Sequence, residues 1–134
     1  MNPQTSYGYS TTVQLSFDDA VQKTIELLKE QGFGILTTID VKAKMKEKMN
    51  LDMEDYLILG ACNPKLAAHA LQAEKEVGLL MPCNVLVYQH KDQTRVSAQL
   101  PSTMMSVTGN KLVCEVADQA EQTLKKVIDQ LSKL

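Results

Sequence analysis

Two Cys-Asn pairs, Cys62-Asn63 and Cys83-Asn84, bracket a short Ala-rich segment in the stretch GACNPKLAAHALQAEKEVGLLMPCNVLVY. A thiol can act as a nucleophile, as half of a redox couple or as a soft metal ligand, in each case as its thiolate. Cys62 closes the apolar run Tyr56–Cys62 and Cys83 opens the next one. If the two runs are antiparallel neighbours in a sheet, both thiols lie near one rim. If a parallel crossover joins them, they lie at opposite ends. Cys62 also immediately precedes a predicted helix start, where backbone N–H groups and the helix dipole lower a thiol pKa. Three readings follow for the pair: two small core residues, a ligand or metal site, or a redox couple.

A metal site would draw on Cys62 and Cys83 with Met81, Met104 or Met105, a sulfur set suited to Zn or Cu(I). The spacing matches no zinc pattern. Only two histidines exist; His69 falls off the apolar face of its helix and His90 sits at a hairpin end, so both read as solvent-facing. Asn63, followed by Pro64, reads as a helix N-cap with proline at the first helical position. Asn84 lies within an apolar strand, where its amide either orients a ligand or ties strands together. Asp40 reads as a helix cap first and an acid/base group second. Cys62, Asn63, Cys83, Asn84 and Asp40 are thus the candidate ligand-binding residues, and no catalytic residue is assigned.

The elements that must position them follow from periodicity. Tyr7 to Leu15 alternates as a half-buried strand. Ser16 caps a helix with Phe17, Val21, Ile25 and Leu28 at helical spacing, ended by Gly32 as the residue after the C-cap. Phe33–Ile39 is a second strand, and Asp40 opens a short helix with the stripe Val41, Met45, Met49 and a lysine-rich face that reads as solvated. Tyr56–Cys62 is a central strand in which Gly60 signals a bulge or close approach. The helix from Pro64 buries Leu66, Ala67, Ala70 and Leu71 and ends before Gly78. Leu79–His90 and Arg95–Leu100 form a hairpin joined across 91–94, with Val96, Ala98 and Leu100 facing in and Arg95, Ser97 and Gln99 facing out. Residues 101–110 read as irregular. A long helix from Lys111 to Leu134 carries the stripe Val113, Val116, Ala117, Ala120, Leu124, Val127, Leu131. The order β-α-β-α-β-α-β-β-α predicts an α+β fold: one domain over 1–134, with one sheet of about five strands and helices largely on one face.

Composition narrows the function. With 134 residues, 44% hydrophobic and 22% charged, the chain reads as one globular unit. A net charge of −2, four Tyr, two Phe and no Trp give no case for nucleic acid or an anionic membrane. The N-terminal MNPQTSYGYSTT has no leader pattern, and no apolar run reaches the roughly 20 residues of a membrane span. Three cysteines are an odd set, which suits a reducing, cytoplasmic setting. There is no GxGxxG, P-loop, nucleophile elbow or HExxH, so the pattern points away from the common enzymes.

The segments FGILTTIDVKAKMKEKM, YLILGACNPKLAAHALQAEKEVGLLMPCNVLVY and PSTMM, in that order, resemble the DUF302 family, a domain family of unknown function. The resemblance runs from about Leu15 into the last helix. It implies a small α+β domain that forms a homodimer, and no catalytic residue. The expected function is non-catalytic binding of a small ligand or soft metal near the Cys62/Cys83 rim. The alternatives are a thiol-dependent redox enzyme and a purely structural dimerisation or partner-binding module.

Overall fold

The computed structural model describes residues 5–134; Met1–Gln4, the start of the stretch read above for a leader, lie outside them. Five strands form one antiparallel sheet: β1 (Gly8–Val13), β2 (Gly34–Asp40), β3 (Tyr56–Cys62), β4 (Cys83–His90) and β5 (Gln93–Gln99), in the spatial order β1-β5-β4-β3-β2. The helices are α1 (Phe17–Glu30), α2 (Val41–Met49), α3 (Pro64–Ala73), α4 (Pro101–Met105) and α5 (Lys111–Leu131). The α+β class and the predicted order hold, with α4 added where residues 101–110 read as irregular. Among the described residues no helix is long and apolar enough to cross a membrane.

Helix starts form where side-chain acceptors meet unpaired backbone donors. Ser16 accepts from Asp19 N, Asp40 from Ala43 N, and Asn63 from Leu66 N. Asn110, a cap that the sequence reading did not identify, accepts from Leu112 N and Val113 N. Gly32 ends α1 with a φ of 86°, donating to Lys29 O while Phe33 N donates to Leu28 O. A side chain at Gly32 would be strained in that left-handed conformation.

Leu59, Val85, Val87, Val96 and Ala98 project from one sheet face and are 0–2% exposed. They pack with Leu27 and Leu28 of α1 and with Leu124, Val127, Ile128 and Leu131 of α5. A second cluster, Ala70, Val77, Met105, Val113 and Ala117, joins α3 and α4 to the first half of α5.

The α2 helix is largely solvated, with its stripe half-buried at Val41 and Met45 and 71% exposed at Met49, and it meets β3. Two expectations need correction. Leu71 is 40% exposed, and of the predicted α3 stripe only Ala70 is buried. Leu79–Pro82 is not strand. Residues Lys75–Leu80 form a 3-10 turn that places Val77, 0% exposed, in the second cluster, and β4 starts only at Cys83.

Candidate functional site

Strands β3 and β4 are antiparallel neighbours, so the ends carrying Cys62 and Cys83 share a rim. The register places Ala61, not Cys62, opposite Cys83, and Cys62 pairs outward with Gly34 of β2. In a regular ladder, residues one step out of register project to opposite sheet faces. Both cysteines border a cavity of about 50 Å³ under α3 and α5, walled by Leu66, Ala67, Met105 and Ala117. That is room for a water or two, far below the roughly 300–1,000 Å³ of small-molecule pockets. All three cysteines are free thiols.

Electrostatics keeps this rim quiet. Burial pushes the Cys83 thiol up to about 11; the neighbouring Cys62 adds to the rise, and the nearby Gln99 side chain opposes it. Burial also raises Cys62. The lowering expected from the start of α3 therefore loses to desolvation. Asn63 spends its Oδ1 on the Leu66 N–H, 3.2 Å away.

The other candidates lie elsewhere. Asp40 pairs with Leu57, at the end of β2 far from Cys62, and its carboxylate accepts from Ala43 N at 3.0 Å. Asn84, opposite Gly60, is exposed, and with Met104 it lines a separate concavity. Met104 therefore stands apart from the cavity that both cysteines border, whereas Met81 and Met105 line it. His69 and His90 are exposed. Among the described residues no group of three or more His, Cys, Asp or Glu is placed to hold a metal ion.

The concavity that holds Asn84 and Met104 is much the larger, about 510 Å³. It lies on the sheet face that α1 and α5 leave bare. Alternation along the strands builds it: Val85, Val87, Val96 and Ala98 go to the helices, while Asn84, Leu86, Tyr88, Arg95 and Ser97 go to the other side. Cross-strand pairing sets Tyr56 against Tyr88, Tyr88 against Arg95 and Arg95 against Thr12, one row spanning four strands. The rings of Tyr56 and Tyr88 stack with centroids 5.3 Å apart. Arg95 Nε donates to Tyr88 Oη at 3.3 Å, and Nη1 donates to Thr12 Oγ1 at 2.9 Å. In the next row Ser10 and Ser97 hydroxyls are 2.7 Å apart. Burial, with Tyr88 and Tyr7 nearby, raises the Tyr56 phenol.

Arg95 is the residue that sequence reasoning missed. Its outward direction was read correctly, but it is only 6% exposed. One signal was available: with 91–92 as the turn, the hairpin register puts Tyr88 opposite Arg95.

Comparison with known proteins agrees with the geometry. A family model described as domain of unknown function DUF302 matches residues 9–131. The crystal structure of an uncharacterized conserved protein DUF302 from Bacillus stearothermophilus superposes with a TM-score of 0.88 at 29% identity. The match covers 95% of this chain and 99% of that one. No curated protein matches.

Proposed function

Since the chain belongs to the DUF302 family, whose function is unknown, the site must speak for itself, and we propose a non-catalytic domain that binds a small ligand on the open sheet face. One observation carries this reading. The bare face holds a concavity of small-molecule size with convergent polar side chains, whereas the cysteine rim encloses about 50 Å³. Asn84 remains a ligand-binding candidate there; Cys62, Asn63 and Cys83 act as packing and capping residues behind it. The redox alternative has little support, because burial holds both rim thiols in their protonated, unreactive form. A cytoplasmic setting suits three unpaired thiols.

A fragment titration followed by amide NMR tests the site. Shifts should cluster at Asn84, Leu86, Ser97 and Tyr88; shifts confined to Leu66, Ala67 and Cys83 would return the site to the thiol cavity.

The domain acts, in the same reading, as a homodimer. Edge strand β2 exposes Leu36 (69%) and Ile39 (42%), and the segment that follows it in the chain exposes Met49 and Leu51. An edge with unpaired backbone groups and apolar side chains is a ready pairing surface. Sedimentation should report twice the 14.9 kDa chain mass, and Leu36→Glu should return it to one. A wild-type monomer at micromolar concentration would refute the dimer.

A further inference from the structure

Arg95 is the only arginine in a chain whose other basic residues are thirteen lysines, since 14 Lys plus Arg leaves 13. Among the described residues it is also the only basic one that is buried. A guanidinium has five N–H donors, stays charged at any ordinary pH, and presents a planar fork matched to oxyanions. Two of the five are used, on the neutral hydroxyls of Tyr88 and Thr12, leaving three. Ion pairs among the described residues all use lysines: Lys23, Lys42, Lys44, Lys46 and Lys125. Met1–Gln4 contain no acidic side chain. Among the described residues no carboxylate lies within ion-pair distance of Arg95, and its unpartnered nitrogen opens to solvent, where water or a bound anion can take the remaining donors.

The surroundings favour the anion. Among the described residues Arg95 is the only charged one lining the concavity, and none of them there is acidic. Tyr88 holds Nε and Thr12 holds one edge of Nη1, which orients the fork before any ligand arrives. The stacked Tyr56–Tyr88 pair beside it offers an apolar wall for a flat group. A volume of about 510 Å³ suits a small molecule.

We propose that Arg95 is the anion-binding centre of the open sheet face and that the ligand is a small organic oxyanion, a carboxylate or phosphate monoester attached to an apolar or aromatic group. This rests on the open-face reading above and adds the chemical class. The ligand's oxygens accept from the unused Nη1 and Nη2 hydrogens, and its ring lies against the tyrosines. Binding pairs the guanidinium with an opposite charge, so the anion stabilises the folded chain by mass action.

The test is calorimetric titration of the intact chain with benzoate, phenyl phosphate and neutral benzamide, repeated with Arg95→Met and Arg95→Lys. The expected result is saturable binding of at least one anion, with benzamide roughly tenfold or more weaker, as a charge-assisted hydrogen bond requires. Which anion binds more tightly separates carboxylate from phosphate. Arg95→Met should abolish anion binding while melting no lower than the wild type. Arg95→Lys, which keeps the charge, covers the case in which the Met variant does not fold, and should weaken binding because the fork is lost. Equal binding of benzamide and benzoate would overturn the anion assignment and leave the open-face site standing. No binding of any of the three at millimolar concentration would overturn both. A dimeric wild type that takes up no anion and becomes monomeric on Arg95→Met would assign Arg95 to a second copy's carboxylate, overturning the small-ligand inference.

Discussion

The two faces of the sheet are made by alternate residues of the same five strands, yet they solve opposite problems. On the covered face Val85, Val87 and Val96 are fully shielded under α1 and α5, and the Cys83 thiol at that rim is pushed into its neutral form. On the bare face the next residues along, Leu86, Tyr88, Arg95 and Ser97, line a concavity with three polar side chains among the four. The cysteines drew attention because of what a thiol can do in water; desolvation removes that ability. Arg95 drew none because an arginine in an outward strand position is ordinary, yet its neighbours shield it without neutralising it. Reactivity is a property of the environment as much as of the residue type.

The comparison breaks most readily at the covered face. Leu124, 1% exposed, packs on the sheet, so Leu124→Ala should cost about 2–5 kcal/mol in urea denaturation. A loss below roughly half a kcal/mol would mean that α5 does not shield that face. The thiol on this side provides the next largest effect. With its folded pKa raised to about 11 from an ordinary 9.0, Cys83 holds its proton in the folded chain at pH values where the unfolded chain has released it. Its contribution is complete below about pH 9 and is lost as pH climbs towards 11, at most about 2–3 kcal/mol. Wild type should lose stability over that window faster than Cys83→Ala, and parallel pH profiles would sink the claim.

Gly60 probes the bare face, where backbone approach replaces helix cover. A Cβ there would lie 2.7 Å from Thr37 Cγ2 and 3.0 Å from Pro82 Cγ. Gly60→Ala should destabilise by about 1–3 kcal/mol, and Thr37→Ser, which removes that methyl, should recover part of the loss. Additive effects would show that the contact relaxes freely. The smallest change is Ser97→Ala, which deletes a half-buried hydroxyl pair with Ser10 and should cost about 1 kcal/mol. A cost as large as that of Leu124→Ala would show that the bare face is packed like the covered one, and the contrast would disappear.

Much of this was determined by sequence alone, and for a local reason. A helix cap is decided within three residues, which is why Ser16, Asp40 and Asn63 start helices as predicted. Strand facing is decided by a period of two, which is why Val85 and Val87 were placed together, away from Asn84 and Tyr88. The long stripe of α5 carries its own periodicity over many turns. Only the tertiary structure decided which of these faces would be covered. The stripe of α2 has helical spacing, yet where the helix meets β3 Val41 and Met45 are only half-buried and Met49 stays in solvent. The pairing of Cys83 with Ala61 instead of Cys62 is set by strand register, which no residue type near either cysteine encodes. The burial of Arg95 needs, besides its hairpin partner Tyr88, Thr12 from the first strand, brought beside it by a sheet order that places β1 next to β5. Contacts between residues so far apart in the chain depend on how every intervening element packs, and periodicity carries no information about that.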